Sequence, residues 1–216
     1  MTPIGDTLNE AAANFNPKHA LESLKACKFP ETYKITLDGQ EWTLACDTFR
    51  VLLVAGGEAA EREEGFLPEA LKGIITGNWA VPLEYSYFAT LPQLLAFGGG
   101  RPPRLTCPRC GDDVECVSCL RKGRKAIGVN YVQYQGEAFN WDMARDILAD
   151  LVADQVVIAR TGQMLRVETL KWKYWQMAVF ATPESRAGYA DLTAYLAGGA
   201  GVAMTTAIKR QPAGSE

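Results

Sequence analysis

Thirteen residues near the middle of the chain limit its architecture more than any others: Cys107-Pro108-Arg109-Cys110-Gly111-Asp112-Asp113-Val114-Glu115-Cys116-Val117-Ser118-Cys119. Two residues between the thiols of each pair let both reach one ion, and Gly111 relieves the tight turn after the first pair, as four-coordinate zinc requires. A Zn2+ site made of Cys107, Cys110, Cys116 and Cys119 leaves no coordination position open to substrate, so it reads as structural. Two disulfides, free thiols or an iron–sulfur cluster are the alternative uses of the same four residues.

Gly98-Gly99-Gly100 and Pro102-Pro103 precede the cysteines and give the clearest linker signal in the chain. The spacing therefore predicts an α+β core interrupted by a small zinc-binding insertion. Its parts are an N-terminal segment 1–15, a first half of the core 16–99, the insertion 100–126, a second half 127–200, and a flexible tail 201–216. Removing the metal from such a chain disorders the insertion and leaves the core folded.

Each half of the core contains a helix followed by strands. Asn16 can cap a helix with Pro17 at its first position, and Leu21, Leu24 and Cys27 or Lys28 follow at helical spacing up to Phe29-Pro30. Residues 33–37 and 41–46 alternate on either side of the hairpin signal Asp38-Gly39, and 49–54 resume as a third strand. An acidic surface stretch 58–65, a short helix 68–75 stopped by Gly77, a strand 81–88 and a short helix 91–97 complete this half.

In the second half, 127–134 reads as a strand. Asn140 then caps a helix with Trp141, Ala144, Ile147 or Leu148, and Leu151 on one face. Strands follow at 155–159, 164–170 and 172–182, with a last helix at 185–196 after Pro183. A helix followed by three strands thus occurs twice.

Composition matters chiefly through charge. The 216 residues carry 22 Lys and Arg against 25 Asp and Glu, a net charge of −3, so the chain as a whole is no polycation. Yet Arg101, Arg104, Arg109, Arg121, Lys122, Arg124 and Lys125 crowd the insertion, a local patch suited to a phosphate backbone. The alternative is that these cations balance the thiolates and solvate the loop; no Phe, Tyr or Trp lies among them to stack on bases. No apolar run approaches the roughly 18–20 residues that span a bilayer, and the first residues lack a signal-peptide pattern, so no membrane partner and a cytoplasmic location are expected. Cys27 and Cys46 sit in apolar surroundings, as buried thiols do.

Catalytic signals are missing. His19 is the single histidine and has no nucleophile motif beside it. The glycine runs lack the residues of phosphate-binding loops, and Asp142, Asp146, Asp150 and Asp154 recur as the wet face of a helix does. An enzyme with dispersed site residues is the remaining catalytic alternative.

The segment Trp42-Thr43-Leu44-Ala45-Cys46-Asp47-Thr48-Phe49-Arg50-Val51 resembles the Ala-Thr-Asp-Gly-His-Arg-Leu stretch of bacterial DNA polymerase sliding clamps. Ala45, Asp47, Arg50 and Val51 match in order or in kind, while Thr48 and Phe49 replace Gly and His. The later stretch from Tyr131 through the helix at Trp141 to Met177-Ala178-Val179-Phe180 resembles the second half of a clamp domain. The resemblance covers 16–182 without the insertion and leaves room for about one such domain. It implies a non-enzymatic protein that encircles duplex DNA and tethers replication partners; a single-domain chain would have to self-associate, most simply into a symmetric ring. Asp142, Asp146 and Asp150 on the central helix would instead repel a phosphate backbone. Two functions follow as expectations. One is a DNA-associated, clamp-like homo-oligomer whose zinc module meets DNA or a replication partner. The other is a protein-interaction adaptor of phage or mobile-element origin that docks on a host protein complex through that module.

Overall fold

Two tight turns with left-handed backbone set the strand register. Asp38 and Gly39 have φ of 49° and 75°, the paired positive values of a two-residue hairpin, and join β1 (Tyr33–Leu37) to β2 (Gln40–Cys46). Gln135 and Gly136, with φ of 49° and 84°, do the same for β5 (Tyr131–Tyr134) and β6 (Glu137–Asn140). The computed structural model describes residues 17–25, 29, 31–81, 83, 86–98 and 130–204. The structure is a mixture of helices and mainly antiparallel sheet.

The larger sheet has eight strands in the order β1-β2-β3-β9-β8-β7-β4-β11. Here β3 is Arg50–Ala55, β4 Ser86–Ala89, β7 Val156–Thr161, β8 Met164–Glu168, β9 Trp172–Met177 and β11 Val202–Met204. Three consecutive strands from the first half meet three from the second at the antiparallel β3–β9 pair, and the order reads outward in mirror fashion from that junction. The smaller sheet, β10-β5-β6, pairs β10 (Ala190–Asp191) in parallel with β5.

Both faces of the large sheet are covered, so its central strands are buried at successive positions; β8 is buried throughout. One face packs Leu52, Leu165, Val167, Trp172 and Tyr174 against α1 (Pro17–Leu24), α3 (Leu91–Ala96) and α4 (Trp141–Leu148). The opposite face packs Trp42, Leu44, Leu53 and Trp175 under Leu71, Ile75 and Trp79 of α2 (Glu69–Ala80).

Several elements depart from the sequence expectation. α1 spans Pro17–Leu24 and closes with the Lys25 N–H turning back to the Glu22 carbonyl in a tighter turn, while residues 26–28 of the expected helix lie outside the described residues. α2 runs through Gly77 to Ala80, since Trp79 is held over the sheet by its indole N–H donating to Asp38 Oδ2 at 2.6 Å. Of the strand expected at 81–88, the described residues show β4 over Ser86–Ala89, one residue past the expected end. The expected helix 185–196 is two short ones, α5 (Pro183–Arg186) and α6 (Leu192–Tyr195). Between them β10 pairs with β5, and the Asp191 carboxylate accepts the Ala194 N–H to start α6. β6 was not expected at all, and β11 takes up three residues of the segment expected to fray.

The Asn140 cap is as expected: its side-chain oxygen accepts the Met143 N–H at 3.1 Å, and Trp141, Ala144, Ile147 and Leu148 are buried. Asn140→Ala should cost about 1 kcal/mol. In a chain of this length that is a fall in melting temperature of roughly 2–4 °C, readable by circular dichroism.

Candidate functional site

The expected zinc ligands Cys107, Cys110, Cys116 and Cys119 lie outside the described residues. So do the basic residues Arg101, Arg104, Arg109, Arg121, Lys122, Arg124 and Lys125, together with Cys27. The fold does fix where that stretch leaves the core and where it returns. Trp141, fully buried at the start of α4, donates its indole N–H to the Phe97 carbonyl at 2.8 Å and its backbone N–H to the Asn130 carbonyl at 2.7 Å. The Phe97 ring meets the Trp141 ring edge-on at 5.8 Å. Next to it, Asp142 accepts both the backbone N–H of Asn130 at 2.9 Å and its side-chain amide at 2.7 Å. The two ends of the cysteine-bearing stretch are therefore fastened to adjacent residues of one helix.

Beside this point α1 and α4 form an open groove of about 840 Å³, lined among others by His19, Arg50, Asp142, Arg145, Asp146 and Asp150. His19 Nδ1 lies 2.7 Å from Asp150 Oδ2, and the Arg50 guanidinium is 2.6 Å from Asp47. Three carboxylates of α4 and its C-terminal extension thus face two arginines, one of them already paired. Such a surface attracts cationic groups more than phosphates.

The residues that carry the clamp resemblance form a turn. Asp47 Oδ1 accepts the N–H groups of Phe49 and Arg50, each at 2.7 Å, and the Asp47 N–H donates to the Arg50 carbonyl at 3.0 Å. Arg50 then reaches across to donate to the Met143 carbonyl of α4 at 3.2 Å, tying the β2–β3 connection to the helix. The neighbouring Cys46 thiol is fully buried, and burial pushes its pKa up to about 12, which leaves too little thiolate for nucleophilic chemistry.

The opposite face holds a charged cluster that sequence reading did not single out. Glu168 Oε1 accepts from Arg166 Nε at 2.6 Å and from the Trp175 indole at 2.8 Å, while Lys173 Nζ lies 3.5 Å from Glu168 Oε2 and donates to the Thr169 carbonyl at 3.0 Å. Arg166 also donates to the Asn78 and Val81 carbonyls at 2.9 and 3.3 Å, closing the C-terminus of α2. The Trp42 and Trp79 rings lie 5.2 and 5.3 Å from the Lys173 ammonium. Arg166, Glu168 and Lys173 are 0%, 4% and 8% exposed, so the cluster is sealed from substrate and fastens α2 to the sheet. Its available signal was two charges at alternate positions, Arg166 and Glu168, in a strand otherwise apolar.

No family model matches this chain. No curated protein matches it either. Among solved structures, one similar to it is the DNA polymerase III beta subunit of Borrelia burgdorferi, determined with a natural product. It is 11% identical over 70% of this chain and 55% of that one, with a TM-score of 0.38. Another is the DNA polymerase III beta subunit of Thermotoga maritima, 10% identical over 82% of this chain and 64% of that one, also with a TM-score of 0.38. The chain therefore spans less than two thirds of the length of either. Among the described residues no three His, Cys, Asp or Glu side chains gather where they could hold a metal ion, and no helix is long and apolar enough to cross a membrane.

Proposed function

We propose that the chain is a non-enzymatic, DNA-associated protein. Its α+β core, a repeated helix-plus-strands unit of clamp type, presents a zinc-ordered basic loop to duplex DNA or to a replication partner. The observation that carries this reading is the convergence of the stems at Phe97 and Asn130 on Trp141 and Asp142. Flanks that meet at one point suit an inserted module, and the sequence between them combines two C-x2-C pairs with seven cations in an otherwise acidic protein. The donor set of four thiolates, Cys107, Cys110, Cys116 and Cys119, suits tetrahedral Zn2+, with Arg109, Arg121 and Lys122 offsetting the charge of the site. The acidic groove of α1 and α4 makes the helical face a poor DNA channel, so the phosphate contacts fall to Arg101, Arg104, Arg109, Arg121, Lys122, Arg124 and Lys125.

Size-exclusion chromatography with light scattering, run on zinc-loaded protein with and without duplex DNA, tests this directly. The expected result is a mass above the 23.6 kDa of one chain and a further increase with DNA. A strict monomer that ignores DNA sinks the reading. The acidic groove favours a second one, an adaptor that docks a basic protein surface; it would bind no duplex at ordinary salt and would keep its partner through purification.

A further inference from the structure

We infer that the outer edge of β11 pairs with the same edge of a second copy, antiparallel about Ala203, and that the protein is a two-fold dimer joined through its large sheet. The inference deepens the self-association in the reading above and stands apart from zinc and DNA.

The two ends of the large sheet are finished differently. At β1 the two-residue hairpin makes Leu37 and Gln40 a bonded pair, so alternation turns the N–H groups of Lys34 and Thr36 outward. Both are taken: Lys34 donates to the Arg62 carbonyl at 2.7 Å and Thr36 to Glu64 Oε2 at 3.1 Å, while Tyr33 bridges Arg62 in parallel. At the other end β11 pairs with β4 from Val202 opposite Phe88 to Met204 opposite Ser86, and among the described residues no strand or bridge lies on its far side. Alternation leaves at least one of its three residues with N–H and C=O turned away from β4. From Leu196 to Ile208 the sequence holds no charge and no proline, the devices that usually guard an exposed edge.

This edge is also built in advance. The Gly201 N–H donates to the Leu196 carbonyl at 2.9 Å, and a Cβ on Gly201 would come within 3.2 Å of the Leu196 side chain and the Phe88 carbonyl, so the chain enters β11 pressed against β4. A strand already held in place gives up little freedom on pairing. Val202, 70% exposed, supplies apolar surface to cover. A second copy fits better than a foreign strand: an uncharged edge offers a peptide no charge by which to select it, yet it is complementary to itself. With Ala203 on the two-fold axis, Val202 of one copy opposes Met204 of the other and all three residues pair. Because β1 is capped, head-to-tail pairing of β1 with β11 is barred and growth stops at two chains.

Light scattering behind size exclusion on the full chain over a range of concentrations, with neither DNA nor added metal, tests the pairing. The mass should rise towards twice 23.6 kDa. Val202→Lys places two like charges about 7–8 Å apart across the axis and should weaken the dimer about tenfold or more, with the melting temperature of the monomer unchanged because the side chain is exposed. Val202→Thr should keep the dimer. Hydrogen exchange of the β11 backbone should slow as protein concentration rises, while that of β1 stays the same. A mass of one chain at every concentration overturns the inference, as do a mass of three or more chains and a dimer indifferent to Val202→Lys. A monomer that binds DNA refutes the edge alone; a dimer that ignores DNA upholds the edge and refutes the DNA reading.

Discussion

Arg166→Ala should be the most damaging single substitution in the core, costing about 3–5 kcal/mol, because it strands the Glu168 carboxylate in a site 4% exposed. The loss has two parts. Glu168 keeps the Trp175 indole and the neighbouring Lys173 ammonium but loses its closest cation, at 2.6 Å. The Asn78 and Val81 carbonyls lose their donor, so the end of α2 is left unsatisfied against the sheet. Against a typical total stability of about 5–15 kcal/mol, the variant should unfold at a much lower urea concentration, or fail to accumulate as folded protein. Arg166→Met combined with Glu168→Leu should be less harmful than the single change, because it removes both charges together and keeps the volume filled. A single variant that lost under 1 kcal/mol would show that the pair is not sealed from water.

Replacing Arg121, Lys122, Arg124 and Lys125 together by Gln should have the largest effect on binding. Each cation on a phosphate releases a condensed counterion, so the slope of log affinity against log salt should flatten by about 3–4 when four are lost. Over a fourfold rise in salt the parent should then lose on the order of a hundredfold more affinity than the variant. Fluorescence anisotropy with one duplex at several salt concentrations measures this, and unrelated duplex sequences should give the same result, since backbone contacts carry no sequence information. Parallel salt plots for parent and variant would move the DNA contact elsewhere or remove it.

Much of the fold is legible in the sequence because local rules agree with the tertiary outcome. Asp38-Gly39 is a hairpin signal that the backbone adopts, and Asn140 caps the helix whose apolar face it introduces. Two of the failures come from tertiary contact overriding a local pattern. Gly77 does not end α2, because Trp79 beyond it finds Asp38 on another hairpin. The helix expected at 185–196 is divided because Ala190 and Asp191 pair with β5, a partner some sixty positions away in the chain. The hairpin at Gln135-Gly136 went unread because β6 runs directly into α4 at Asn140, with no linker between them to separate the two patterns.

Site legibility divides differently. The expected zinc ligands and their basic neighbours are read from spacing alone and lie outside the described residues, whereas the fold contributes the position of the flanking residues Phe97 and Asn130. Trp141 was read only as an apolar residue on a helix face. Its double hold on Phe97 and Asn130 depends on two carbonyls whose meeting no local pattern encodes. The same is true of Arg166, whose role lies in the carbonyls at the end of α2, far away in sequence.

The junction of β3 and β9 bears on how the protein is made. β3 leaves the ribosome early and has β2 on one side, but its other edge finds its partner only when Trp172–Met177 emerges, after the whole insertion has been synthesised. At ~5–20 residues per second that interval is on the order of ten seconds, during which a strand built of Val51, Leu52, Leu53 and Val54 keeps an open edge. A nascent chain in that state is a natural client for holding chaperones.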